Sequence, residues 1–228
     1  LESMPKNYII YNFEQLQSDR KFSEKFWQRM INAKHIIDYS QSNIDYLKLN
    51  NIKANFLPLG WSKYMKIKIN IPFEKRINNI MFIGYLNSRR IKILKPVHKL
   101  CKDNNYNMFL SNDCWGNDYF HKMSITQIAY NIHFYNGNTI LEVHRIIPYI
   151  LNRIWVISEH SDDKWYDNMF NDLITWIEPD NIVEKTNQIL DMTLDDIENE
   201  LTKRQRLLIE HCSNNNKIKE LINDHFFE

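Results

Sequence analysis

Glycine is scarce in this 228-residue chain, with four residues in all, and cysteine occurs only three times. No Gly-x-Gly-x-x-Gly run exists, so the phosphate-binding fingerprint of nicotinamide-dependent enzymes is missing. The absence of a Gly-x-Ser-x-Gly elbow argues against Ser/His/Asp hydrolysis. Cys101, Cys114 and Cys212 are odd in number and far apart, which argues against a disulfide framework and for a reducing, cytoplasmic setting. Cys114 with Asp113 and His121 lacks zinc-ligand spacing. No Asn-x-Ser/Thr acceptor occurs, and Leu1–Lys6 carry no signal sequence. No apolar run approaches the roughly 20 residues of a membrane helix. A formal net charge of +1 removes the global electrostatic case for a nucleic-acid partner.

What is present is the material of a folded core. Apolar residues make up 43% of the chain and aromatic residues 13%, too many for disorder. A chain of this size buries roughly 70% of its unfolded surface. Heavy use of Asn, Ile, Lys and Tyr points to an AT-rich coding sequence, so local composition says little about function. Short β-branched or aromatic runs at 8–11, 35–39, 56–59, 80–84, 108–110, 132–134, 155–158 and 173–177 read as strands. Segments with helical period lie between nearly all of them, as in Phe22, Phe26, Trp27, Met30 and Ile31. Ser124–Gln127 and Thr193–Asp196 read as capping boxes, and Asp180 as the cap of a helix from Ile182. This alternation predicts an α/β fold with parallel sheets and right-handed crossovers.

The polar, basic stretch from Trp61 to Asn79, broken by Pro72, reads as a linker. It divides the chain into a first unit and linker (1–70), a larger second unit (71–192) and terminal helices (193–228), which include the apolar faces at Ile218, Leu221, Ile222 and Phe226. About three strands precede the linker, fewer than a complete Rossmann-like lobe holds.

Residues that could carry chemistry gather around the ends of the second unit's strands, where open α/β sheets bind ligands. Gly84 to Arg90 spans a strand-to-helix turn, where free N–H groups together with Arg89 and Arg90 could cradle a diphosphate. The bland alternative is a pair of solvated arginines. Glu142 and Arg145, three apart on one helical face, supply an acceptor for hydroxyls and a cation for phosphate, or else an ordinary intrahelical ion pair. His133 and Tyr135 flank Phe134 at a strand end, and Glu159 ends the following strand. Each could line the crevice or serve the structure. Asp162, Asp163 and Asp167 raise a metal reading, but a helix cap is the simpler account and no metal is expected. In the first unit, Glu14 follows a strand and could approach an acceptor. Lys63, Lys66, Lys68, Lys75 and Arg76 lack the interleaved aromatics of a nucleic-acid surface and read as solvated linker.

The order of these segments carries a resemblance. Tyr11–Leu16, then Asp38-Tyr39-Ser40 and Asn43, then Leu57–Trp61, are similar to the end of the first lobe of two-lobed, GT-B-type glycosyltransferases of the group 1 type. Phe82–Arg90 resembles the opening of the second lobe, and Asn131–Tyr135, Leu141–Arg145 and the strand ending Ser158-Glu159 resemble its donor-binding half. The resemblance implies an incomplete N-terminal lobe, either because the chain begins partway through it or because the protein is a shortened relative, and a complete C-terminal donor-binding lobe. It also implies a metal-independent transferase, without cofactor, that moves a sugar from a nucleotide-diphosphate donor to a glycan or other hydroxyl acceptor. Arg89, Arg90, His133, Tyr135, Glu142, Arg145 and Glu159 would lie on the donor side, Glu14 on the acceptor side. Terminal helices in such enzymes commonly pack back across the first lobe. Many relatives carry two glutamates eight apart here; Phe134 and Ile150 stand where a second one would be, which leaves the ribose contact open. A noncatalytic carbohydrate-binding or structural descendant of the same fold is the alternative.

Overall fold

The computed structural model describes residues 5–18, 20–67 and 71–212. The segment carrying Ile218, Leu221, Ile222 and Phe226, and Lys68 of the basic stretch, lie outside the described residues.

The first unit is a three-stranded parallel sheet in the order β1 (Ile9–Asn12), β2 (His35–Asp38), β3 (Asn55–Phe56). Helices α1 (Glu24–Ile31) and α2 (Gln41–Leu49) form its crossovers. Ser23 and Ser40 cap them, each accepting a backbone N–H three residues on. Its own core is small: Leu16, Met30, Ile36 and Leu47, with partly buried aromatics around them.

The second unit is a five-stranded parallel sheet: β4 (Asn78–Ile83), β5 (Met108–Ser111), β6 (Thr126–Asn131), β7 (Trp155–Glu159) and β8 (Thr175–Ile177), ordered β5-β4-β6-β7-β8. Helices α3 (Ser88–Asp103), α4 (Gly116–Ser124), α5 (Val143–Leu151), α6 (Lys164–Met169) and α7 (Ile182–Leu190) connect and follow the strands. Helix α8 (Leu194–His211) comes last, capped by Thr193.

Strand alternation sends Ile80, Phe82, Ile128, Tyr130 and Ile157 to one face, where they meet α3, α7 and the start of α8. Met81, Ile83, Ala129 and Val156 go to the other, against α5 and the end of α8. All six residues of β6 are buried, as expected of a central strand covered on both faces.

The strand expected at 132–134 starts six residues earlier, at Thr126. Ser124 and Gln127, read as a capping box, instead end α4 and begin β6: Ser124 Oγ donates back to His121 O, and Gln127 Nε2 donates to Phe73 O. Thr126 and Gln127 look polar in sequence, but their side chains are spent inside the structure, so hydrophobic period alone missed them. Likewise Asp180 lies within a single 3-10 turn, Pro179–Asn181, whose cap is Glu178. The stretch from Trp61 to Asn79 is not structureless. It holds two 3-10 turns, Lys63–Met65 and Phe73–Lys75, and β4 begins at Asn78. Arg76, expected to be solvated, is buried, and its guanidinium donates to the carbonyls of Ile71, Thr126 and Arg153.

The two units share buried contacts. Tyr166 Oη donates to Tyr39 O at 2.7 Å and accepts from Leu59 N at 3.2 Å. Ser40 Oγ donates to Asp163 Oδ2 at 2.6 Å, and Gln15 Nε2 to Ile140 O at 3.3 Å. Tyr39 belongs to the same apolar cluster as Tyr166, Leu208 and Cys212, and the end of α8 receives both N–H groups of Trp61. No helix among the described residues is long and apolar enough to cross a membrane.

Candidate donor site at the β4–β6 crevice

In a parallel sheet of this order, the crossovers from β4 and from β6 leave in opposite directions. A crevice therefore opens beyond the carboxyl ends of these two neighbouring strands. The sequence places Gly84 and the start of α3 at one wall, and Asn131 to Glu142 at the other.

Gly84 has φ +152°, in the region that L side chains rarely adopt, and a Cβ there would lie 3.3 Å from Arg90 Nη1 and 3.4 Å from Arg145 Nη2. The glycine makes room for two guanidinium groups that both approach the ring of Phe82, at 5.3 and 6.0 Å from its centroid. Gly84→Ala is expected to destabilise the fold by about 1–3 kcal/mol. A urea midpoint equal to that of the parent would refute that tightness.

Arg90 is buried and held at three points. Its backbone N–H is capped by Asn87 Oδ1 at 2.9 Å, its Nε donates to Ile132 O at 2.9 Å and its Nη1 to Tyr85 O at 3.0 Å. Burial, and then the neighbouring Arg145 charge, push its pKa down to about 10, which still leaves it protonated at neutral pH. Arg145 is half-buried and makes one side-chain hydrogen bond, from Nη1 to Asn131 Oδ1 at 3.2 Å.

Glu142 stands at the N-cap of α5 but does not spend its carboxylate on the cap. It turns inward, accepting from Asn131 Nδ2 at 2.9 Å, with His133 Nδ1 at 3.0 Å and Arg90 Nη2 at 3.9 Å. With its ring protonated, His133 forms an ion pair with Glu142 at this distance. Burial alone would raise Glu142; the charge of His133, then Arg145 and the Asn131 amide, hold it far below the usual carboxylate range. For His133, burial pulls the pKa down, but Glu142 and then Glu159 outweigh it, and the net direction is up. Its Nε2 faces His160 O at 3.1 Å, so both ring nitrogens face acceptors, an environment that suits an imidazolium.

Arg89, expected to reach phosphate, is engaged elsewhere. It forms a two-pronged pair with Glu159, one arm at 2.8 Å, and donates to His133 O at 2.8 Å and to Asn136 Oδ1 at 2.8 Å. Glu159 also accepts the His133 backbone N–H at 2.9 Å. Together these bonds fasten the loop after β6 to the end of β7. Tyr135 stays outside the network and meets Phe134 edge-on at 4.9 Å. Glu14 pairs with Arg20 at 2.7 Å, both half-exposed.

The aspartates of the metal reading each have structural hydrogen bonds. Asp162 accepts from Thr139, Asp163 caps α6 and holds Ser40, and Asp167 accepts from Ser161. No group of three or more His, Cys, Asp or Glu suited to a metal occurs among the described residues.

Sequence reasoning passed over Asn131 as a site residue. It is fully buried and bonds Glu142, Ser158 and Arg145 at once. Its residue-level signal is a polar residue directly after the apolar run Ile128–Tyr130, at the ligand-binding edge.

Comparison with known proteins places the architecture. No family model and no curated protein sequence matches the chain. Among solved structures, TarM aligns with 95% of this chain and 49% of its own at TM-score 0.59 and 15% identity. A glycosyltransferase from Rickettsia africae ESF-5 aligns over 95% of this chain and 69% of its own, at TM-score 0.55 and 14% identity. An alpha-glucosyltransferase in complex with UDP-glucose and DNA containing an abasic site reaches TM-score 0.61 at 11% identity, over 96% of this chain and 71% of its own. The fold is therefore that of the two-lobed, GT-B-type glycosyltransferases, and this chain spans about half the length of TarM.

Proposed function

We propose that the protein binds a nucleotide-diphosphate sugar in the β4–β6 crevice and transfers the sugar to a hydroxyl acceptor on a glycan or a protein. The observation that carries this reading is the pairing of Arg90 and Arg145 around Gly84, beside a helix start, at the strand ends where this sheet order opens. Two guanidinium groups held this close repel each other unless an anion lies between them or an acid balances them. One buried acid, Glu142, lies near Arg90 at 3.9 Å, so two guanidiniums share a single carboxylate. Positive charge therefore remains for a diphosphate, and it is preorganised where charge grows on the leaving group, which is the basis of metal-independent departure. Two of the fold's neighbours are a glycosyltransferase and an alpha-glucosyltransferase, the latter in complex with UDP-glucose, which supports this reading.

A thermal-shift and turnover screen against UDP-, GDP-, dTDP- and CMP-sugars tests the reading. At least one donor is expected to raise the melting temperature, by mass action on the folded state. If none does, the donor-site assignment is wrong. Stabilisation without transfer or hydrolysis in any acceptor mixture would favour the noncatalytic carbohydrate-binding alternative.

A further inference from the structure

Tyr85 combines a fixed backbone with an open ring. It is 64% exposed, yet its carbonyl is held by Arg90 at 3.0 Å, and the preceding Gly84 N–H donates to Ser111 O at 2.7 Å. Its ring lies 6.1 Å from that of Phe134, tilted by 51°. Phe134 is braced in turn: the Arg90 guanidinium sits 5.3 Å from its ring centroid, and its carbonyl accepts from Asn87 Nδ2 at 2.8 Å. Among the described residues, neither the Tyr85 nor the Tyr135 hydroxyl has a hydrogen-bond partner. A large aromatic left open on an immobilised turn, directly at the rim of a cation cradle, has no packing role that explains its exposure.

We infer that Tyr85, backed by Phe134, is the stacking surface for the nucleobase of the donor. The inference rests on the nucleotide-sugar reading and deepens it. Arg90 and Arg145 recognise phosphate alone and cannot separate a nucleoside diphosphate from free pyrophosphate. That distinction needs a flat apolar surface within reach of the cradle, and Tyr85 presents one on a backbone that does not have to be ordered on binding. Stacking is tolerant of base identity because every base offers a π-face. The seat therefore supplies affinity for the nucleoside more than choice among bases.

The test is calorimetric titration of the whole chain with UDP, GDP and inorganic pyrophosphate, in the parent, Tyr85→Ala and Tyr85→Phe. The parent should bind the better nucleotide more tightly than pyrophosphate. Tyr85→Ala should weaken that nucleotide about tenfold and leave pyrophosphate unchanged, while Tyr85→Phe, which keeps the ring, should retain parental affinity. The inference is overturned if Tyr85→Ala leaves the nucleotide affinity intact, if it weakens nucleotide and pyrophosphate alike, or if the parent binds the nucleotide no better than pyrophosphate. A parent that binds none of the three overturns the donor-site reading itself, a result distinct from any of these.

Discussion

Arg145→Ala should lower affinity for the nucleoside diphosphate that the parent binds best by at least tenfold while leaving the melting temperature of the unliganded protein nearly unchanged. The expectation follows from how few hydrogen bonds tie Arg145 to the fold. It is half-buried, and its one side-chain hydrogen bond is 3.2 Å long, whereas Arg90 is fixed at three points by its cap and by carbonyl oxygens. Arg145 therefore has donors to spare for a phosphate. A hydrogen bond to a charged group contributes about 1.5–3 kcal/mol, or roughly 10- to 100-fold in affinity. Arg89→Ala is the contrasting variant. Arg89 is committed to Glu159, His133 O and Asn136, so its loss should lower stability in the absence of ligand. The outcome that sinks this division is Arg145→Ala with parental affinity for nucleotide.

Glu142→Gln should cost about 3–5 kcal/mol at pH 6, the range for removing one partner of a buried pair. It leaves Arg90 and a protonated His133 in a closed space without their counter-charge. The pH dependence has a defined sign. Glu142 has a folded pKa depressed below its ordinary 4.5, so its contribution is present above pH 4.5 and is lost as the pH falls toward the folded value. His133 has a folded pKa raised above 6.5, so its contribution is complete below pH 6.5 and is lost as the pH rises through the folded value. The pair therefore contributes most between pH 4.5 and 6.5. Urea unfolding from pH 4 to 8 should show that maximum in the parent and a flatter profile in Glu142→Gln. Parallel profiles would mean the two groups do not form the ion pair.

The parallel architecture was legible because strands such as Ile80–Ile83 and Trp155–Ser158 are short runs rich in β-branched and aromatic residues, and the helices between them keep their period. β6 was misplaced because its first two residues are polar, and their partners do not show in hydrophobic period: Lys122 O four residues back and Met81 for Thr126, and Phe73 and Asn79 for Gln127. At the site, the sequence picked out Arg90, His133, Glu142 and Arg145 by residue type and by their place at strand ends, and the structure brings Arg90 and His133 to Glu142, with Asn131 bridging Glu142 and Arg145. It could not foresee that Arg89 would be taken by Glu159, because that contact joins residues 70 apart. Nor could it show that Glu14 would turn to Arg20. The room that Gly84 keeps for two guanidiniums is invisible to any reading by spacing, since it depends on one backbone angle.

The hydroxyl of Tyr166 bears on how the protein unfolds. It serves both Tyr39 O and Leu59 N, and the first unit's own core amounts to Leu16, Met30, Ile36 and Leu47 with a partly buried rim. A sheet of three short strands with so little apolar burial is marginal by itself. Its stability is borrowed through Tyr39, Leu59 and Ser40 from the larger sheet, so the two units should melt in one cooperative transition. Any movement of one unit against the other must then either pivot about this joint or break it.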